Sequence, residues 1–458
     1  MNSPTHSGSL VACSSAVDVS SRRHFLQRAA LFSIVAPHVL GLHGATPPSG
    51  RLNLACVGIG GRGGDNLSEM ARESIVALCD VDEQRGAKAR ERFPKAKFFR
   101  DYRRLFDQLG KEIDAVAVST PDHTHAVIAM AAIQLGKDVY CEKPLAHSLH
   151  EVRRLTEAAR EKGVITQLGN QGHSFDSIRQ FCEMVWAGAI GTVTEVHAWC
   201  QNSYRPRGFR VRPPEVLPVP PTLDWDLWLG PAARRPYHSV YLPGTWRGWV
   251  DFGTGILGDW TCHVVDPVFW ALNLGAPSSV EAEADEYDDP KVRAETFPPG
   301  CIIRYEFPAR EKRPAVRLTW HDGSRKAPRP PELEPNRELP GIGALVIGDR
   351  GKILYGSHGA GGAQIIPKTK NAAFVRPAQS IARSPGHHAE WLAACKSRKP
   401  AGSNFQYGGA LTEVALLGVL ALRHPGQKLL WDSQARRVTN LDEANAWINP
   451  PYRSGWTL

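Results

Sequence analysis

The sequence has no block of basic residues, although 55 Lys and Arg against 46 Asp and Glu leave a net charge of +9. A nucleic-acid-binding tail or stripe would concentrate that excess; here it is scattered, which excludes the nucleic-acid class. There is no C-x-x-C pair. The cysteines at 13, 56, 79, 141, 182, 200, 262, 301 and 395 are odd in number and dispersed, which argues against a disulfide framework and a zinc site of ordinary spacing. Several sit in strand-like apolar runs such as Ala55-Cys56-Val57, where a buried free thiol is the simplest reading. No repeat period is present, and 42 glycines with 35 prolines follow no collagen-like pattern. The apolar stretches 29–42 and 409–422 are too short to cross a bilayer core of about 30 Å, so no membrane span is expected in the mature chain.

What is present suits a folded chain of two or three domains: 458 residues, 42% hydrophobic and 22% charged. Near the start, Ser21-Arg22-Arg23-His24-Phe25-Leu26-Gln27 precedes the modest apolar stretch and small residues at Gly44-Ala45. This segment resembles a twin-arginine export signal, with an amphipathic first helix as the alternative. The resemblance implies that residues 1–45 are an address read by the twin-arginine export machinery. The mature protein would be periplasmic or extracellular, and it would leave the cytoplasm folded, its thiols already buried.

Residues 51–170 alternate strand and helix. Strands are expected at 52–57, 75–79, 97–99, 114–119, 138–141 and 164–168, and helices at 66–72, 82–93, 102–109, 125–135 and 149–160. Such units form an α/β fold, a doubly wound parallel sheet with helices on both faces. After the first strand stands Gly58-Ile59-Gly60-Gly61-Arg62-Gly63, and Asp80 ends the second. A G-x-G-x-x-G alone is weak, but here it follows a strand, opens a helix and is followed by an acid at the right distance. Gly58 permits the tight turn, Gly60 lets backbone approach a pyrophosphate, Gly63 allows close helix–strand packing, and the N-terminus of the following helix offers N–H groups to the phosphates, with Gly61 and Arg62 as further candidate cofactor contacts. Asp80 can accept from ribose hydroxyls and repels a 2′-phosphate, which favours NAD over NADP, with Arg62 and Arg85 acting against that preference.

Thr120-Pro121-Asp122-His123-Thr124-His125 follows the fourth strand and Cys141-Glu142-Lys143-Pro144-Leu145 the fifth. With the glycine turn and a later glycine-led Asp259-x-x-x-His263, these segments resemble the Gfo/Idh/MocA family, relatives of glucose–fructose oxidoreductase and inositol dehydrogenase. The resemblance implies a Rossmann domain over 46–172 and a C-terminal α+β domain over 173–458 with a large open mixed sheet, often used to form homo-oligomers. It places Thr120, Pro121, His125, Glu142 and Lys143 beside the dinucleotide, and makes Lys143, Asp259 and His263 the catalytic group. From the residues alone, Lys143 is equally a cation polarising a reacting oxygen and a surface lysine paired to Glu142. Asp259 and His263, one helical turn apart, are open to three readings: an ordinary ion pair, half of a metal site with Asp266, or a carboxylate orienting a proton-accepting imidazole. The family match favours the last, and no metal is expected.

Eight of the 13 tryptophans fall between Trp186 and Trp270. Most serve as core, although aromatic faces also suit a sugar pocket. Gln171, His173 and Arg247 are candidate substrate contacts. Residues 205–222 and the Pro/Glu/Arg-rich 326–340 are expected to be surface loops. The function expected is an exported oxidoreductase that holds its NAD tightly and moves hydride to or from a sugar, polyol or sugar derivative. Two alternatives stay open: a glycosidase working by transient oxidation and elimination, and a sugar sensor that retains a dinucleotide without turnover.

Overall fold

Short apolar runs alternating with amphipathic stretches cannot bury themselves singly, and the chain solves this by stacking them in parallel. In the computed structural model, which describes residues 50–458 apart from Arg205, Arg207 and Lys312, six parallel strands form the first sheet. They are β1 (Asn53–Val57), β2 (Ser74–Cys79), β3 (Lys97–Phe99), β4 (Ala115–Val118), β5 (Asp138–Glu142) and β6 (Thr166–Gly169). Their order is β3-β2-β1-β4-β5-β6. Strand order reverses between β1 and β4, and this is where doubly wound sheets open a crevice beyond their carboxyl ends. The expected export signal at 1–45 lies outside the described residues.

The covering helices are α1 (Arg62–Glu69), α2 (Glu83–Arg92), α3 (Tyr102–Leu109), α4 (Asp122–Gln134) and α5 (Leu149–Lys162). All of β4 and β5 is buried, as strands covered on both faces must be. Helix α5 starts with a capping box between Ser148 and Glu151 and stops at Gly163, whose φ of 62° suits the left-handed cap. Two helices begin earlier than their composition suggests. Helix α1 starts at Arg62 rather than 66 and ends at Glu69, because the glycine turn itself feeds it; α4 starts at Asp122, directly after Pro121.

The second half supplies a nine-stranded mixed sheet. Its members are β7 (Val193–Cys200), β8 (Ser279–Ala284), β9 (Gly300–Phe307), β10 (Val316–Gly323), β11 (Ile342–Gly348), β12 (Lys352–Gly356), β13 (Gln364–Ile366), β14 (Leu429–Asp432) and β15 (Arg437–Val438). The order is β13-β12-β11-β7-β10-β9-β8-β14-β15, with β7 and β10 parallel and the other neighbours antiparallel. Burial alternates along β9, so Cys301, Ile303, Tyr305 and Phe307 face the core. The core side carries α6 (Asp176–Trp186), α8 (Gly255–Val264), α9 (Asp266–Ala271) and α13 (Phe405–Ala421); α7 (Trp225–Leu229), α10 (Pro290–Glu295) and α11 (Lys368–Ala373) lie around it, while α12 (His387–Ser397) buries Trp391 and Cys395 in one cluster with Leu54, Cys56 and Tyr140 of the first sheet. Residues 326–340 are irregular, as expected, yet they are not simply an excursion: Leu333 is buried with Trp199, Leu345 and Leu354 on the other face of the sheet. All eight described cysteines are free and buried.

Candidate active site

One cleft of about 540 Å³ runs from the glycine turn to α8, a size ordinary for a small-molecule site. At one end Gly58, Gly60, Gly61, Arg62 and Asp80 line it. Gly58 has φ 77°, and a Cβ there would lie 2.7 Å from the backbone of Ser119, so the turn accepts only glycine. No side chain caps α1; Gly63 and Gly64 N–H donate back to the Gly60 and Gly61 carbonyls, so an anion would be met by the N–H groups ahead of them in the turn. Gly63 does not line the cleft: a Cβ on it would fall 1.7 Å from the Gly58 carbonyl oxygen, so its role is helix–strand packing alone. The Asp80 carboxylate accepts from Ile59 N–H and Asp82 N–H, both at 3.0 Å. Burial raises its pKa and those two bonds oppose the rise. A bare turn and a carboxylate with spare lone pairs fit the pyrophosphate and ribose of a dinucleotide. Arg85, Arg100 and Trp456 complete this end.

Thr120, Pro121 and His125 form the next stretch of wall. The His125 ring meets the carbonyls of Thr120 and Pro144, each at 2.8 Å, and so ties the segment after β4 to the one after β5. Glu142 is buried and accepts from Asn66 at 2.8 Å, Gln171 at 3.1 Å and Arg62 at 3.4 Å. Lys143 is therefore not its partner. Gln171 lines the cleft, while its amide nitrogen is spent on Glu142 and Tyr140.

Lys143 reaches across to α8. Its Nζ donates to the Asp259 carbonyl at 3.1 Å and pairs with the Asp259 carboxylate. Arg247 Nε donates to the same carboxylate at 3.1 Å, and the Tyr204 hydroxyl donates to its other oxygen. Burial alone would raise the pKa of Asp259, but Lys143 and Arg247 outweigh it and hold the carboxyl below the usual range. Gly258 lets α8 lie against the segment after β5 and keeps room for its own cap: a Cβ on it would lie 3.2 Å from Pro144 Cγ and strike Thr254 Oγ1 at 1.7 Å. Thr254 Oγ1 in turn donates to buried Asp122 at 2.6 Å, joining α8 to the start of α4.

His263 lines the same cleft as Lys143. Asp259, however, does not orient it. The carboxylate is taken by Lys143, Arg247 and Tyr204, and His263 Nδ1 is buried with no hydrogen-bond partner among the described residues. Nor is the imidazolium stabilised: burial first, then Lys143 and His358, push the His263 pKa well below the ordinary value, so the ring is neutral. The second expectation to fall is His173. It is buried away from the cleft, with Nδ1 3.0 Å from the Asp266 carboxylate and its ring stacked on Trp270. Asp266 is thereby engaged too, and no cluster of three His, Cys, Asp or Glu with metal-site geometry exists among the described residues.

Sequence reasoning missed Tyr204 and His358. His358 stands in a glycine-rich turn after β12, lines the cleft, and places its ring 4.1 Å from that of His263. The only available signal was a histidine opening the run His358-Gly359-Ala360-Gly361-Gly362. Trp246 also lines this end, under the Arg247 guanidinium at 4.3 Å.

Residues 52–170 match the family model described as Gfo/Idh/MocA oxidoreductase family, NAD-binding Rossmann fold, and residues 207–297 match that family's C-terminal alpha/beta domain. Over 158 residues the chain is 31% identical to inositol 2-dehydrogenase of Salmonella typhimurium, covering 33% of this chain and 46% of that protein. Over 166 residues it is 30% identical to 1,5-anhydro-D-fructose reductase of Ensifer adhaerens, covering 35% and 38%. The chain thus spans about half or less of the length of these relatives. Its fold is similar to that of an inositol dehydrogenase homologue from Azotobacter vinelandii, solved with NADH and myo-inositol, with TM-score 0.56, 17% identity, and 83% of this chain and 98% of the other covered. Two segments of this chain are thus similar to the two domains of the Gfo/Idh/MocA oxidoreductase family, and the first of these matches, to the NAD-binding Rossmann fold, coincides with the six-stranded sheet.

Proposed function

We propose that the chain is an NAD-dependent oxidoreductase acting on a secondary hydroxyl, or the matching carbonyl, of a sugar, polyol or sugar derivative. The observation that carries this reading is the shared cleft: Lys143 and His263, 120 positions apart, line the same space as the glycine turn. When bound, NAD supplies the hydride acceptor or donor. Gly58, Gly60, Gly61, Arg62 and Asp80 hold it, Thr120, Pro121 and His125 wall it, and Glu142 fixes Arg62 and Asn66 around it.

Lys143 is the residue that polarises the reacting oxygen, and Asp259 is a positioning residue that fixes its ammonium. A cation held in a poorly hydrated cleft favours an alkoxide over an alcohol far more than it would in water. His263, neutral because of its burial, is the proton acceptor for the hydroxyl, and a depressed pKa keeps that lone pair available in mildly acidic medium. Arg247, Gln171, Trp246 and Trp260 form the polar and aromatic surroundings suited to a polyhydroxylated ring. The relatives' names, an inositol and an anhydrosugar enzyme, support the same substrate class.

The test is direct. Purified protein is incubated with NAD and a panel of cyclitols, sugars and anhydrosugars while reduced nicotinamide absorbance is followed; at least one polyol should give NADH. Silence across the panel sinks the reading, and release of a chromogenic aglycone without net cofactor reduction would replace it with redox-assisted glycoside cleavage.

Export by the twin-arginine route, with the cofactor carried along tightly held, is part of the same proposal. It rests on residues 21–45 and is supported by eight buried thiols that suit delivery already folded. Replacing Arg22 and Arg23 by lysine should leave the protein in the cytoplasm; unchanged periplasmic recovery would overturn the twin-arginine route, and cytoplasmic recovery of the unaltered protein would overturn export. Homo-oligomer formation through the open sheet is likewise proposed, and sedimentation equilibrium tests it.

A further inference from the structure

A buried base that accepts a proton must also release it, and His263 has no carboxylate with which to do so. Among the described residues its Nδ1 has no partner, and Asp259, one helical turn away, is engaged with Lys143, Arg247 and Tyr204. The charged groups bearing on it are Lys143 from the end of β5, Asp259 from its own helix and Arg62 from α1. Two of these are cations, which speeds loss of a proton but cannot receive one. The other titratable side chain packed on His263 is His358, with ring centroids 4.1 Å apart at 45°. Trp260 meets both rings edge-on, at 5.7 and 5.4 Å, and holds them as a pair. His358 is half-buried where His263 is buried, and both line the cleft.

We propose that His358 is a second acid–base residue, relaying the proton between His263 and solvent. This rests on the redox reading given above and adds a residue to it. The step moves one proton and no electrons. One water in the cleft carries the proton across: an N–H bond on protonated His263 breaks as that water takes the proton, the water gives one of its own protons to His358, where an N–H bond forms, and His358 releases it to solvent; in the reducing direction the sequence reverses. The two rings suit the transfer because both are driven below the ordinary histidine range. Burial comes first for each, followed by Lys143, so neither traps the proton. The turn bearing His358 is fixed for this role: a Cβ on Gly359 would lie 2.3 Å from the Gly172 carbonyl oxygen, and Ser177 Oγ donates to the Gly359 carbonyl at 2.6 Å.

The experiment compares wild type, His358→Ala and His358→Gln on whichever polyol the wild type oxidises. His358→Ala should lower kcat about 100-fold with KM within about threefold, as loss of a proton-transfer group does. Added imidazole should restore most of that loss in His358→Ala and none in the bulkier His358→Gln. Wild-type kcat in both variants, or a loss that imidazole leaves untouched, overturns the relay while the redox reading stands; a silent wild type removes the redox reading and the relay with it. A second readout needs no turnover. In dinucleotide-free wild type, ring NMR should show His358 titrating below the ordinary histidine range while His263 stays neutral, and a His358 ring that never titrates before the fold is lost also overturns the proposal.

Discussion

At the glycine-turn end, the cleft is walled by backbone. Gly58, Gly60 and Gly61 offer main chain, the latter two beneath the Arg85 side chain, and the acidic side chain of this end, Asp80, lies 22 positions from the turn. At the other end the work falls to side chains drawn from four separate stretches: Lys143 after β5, Tyr204 after β7, Asp259 and His263 on α8, and His358 after β12. The first kind of site is specified locally and changes only if a glycine changes. The second depends on two sheets meeting correctly, and its parts can exchange partners, as Asp259 does by choosing Lys143 over His263.

If the two ends are independent, a change at the reacting end should alter kcat and leave dinucleotide binding alone. Lys143→Ala is expected to lower kcat by about 1,000-fold or more, since it removes the charge facing the reacting oxygen. Its Kd for NADH, read by tryptophan quenching, should stay within about threefold of wild type, and a much larger rise would show that the ends are coupled. The converse change is Gly58→Ala, which places a Cβ against the Ser119 backbone in a left-handed conformation. It should raise the Kd for NADH by about 30-fold and cost about 2 kcal/mol of stability in urea unfolding, the range for strain at a special backbone position.

A smaller effect separates the cleft from its frame. His123 in α4 sits between the carbonyls of Phe252 and Trp228, and burial pushes its pKa down to about 3. Between the ordinary value near 6.5 and about 3 the unfolded chain binds a proton that the native state refuses, so native stability falls as pH falls through that window. His123→Gln should flatten this slope, measured as the urea midpoint at several pH values, and an unchanged slope would mean that other buried histidines carry it. Buried His263 and His387, both driven well below the ordinary value by burial, act in the same direction.

The same contrast explains what the sequence made legible. The parallel sheet followed from strand–helix alternation, and Gly58 to Asp80 from spacing, because both are local. Lys143, Asp259 and His263 were found through family motifs and do share the cleft. Their pairing was misread, because helical spacing alone puts Asp259 beside His263 and cannot show a lysine arriving from β5. His173 was misplaced for a related reason. Its position just past β6 suits a cleft residue, but Asp266 and Trp270, roughly 100 residues on, draw it inward. Tyr204 and His358 left almost no trace, since each stands in an irregular segment whose location depends on the nine-stranded sheet.

Trp456 closes the outer rim of the glycine-turn end, beneath the Arg103 guanidinium at 4.7 Å and near the Tyr102 ring at 6.4 Å, while Arg453 anchors the same strip to Asp226. A purification handle fused just beyond this strip would therefore crowd the mouth of the cofactor cleft. Affinities measured on such a fusion would report the handle as much as the protein, so a tag placed ahead of residue 50 is the better choice.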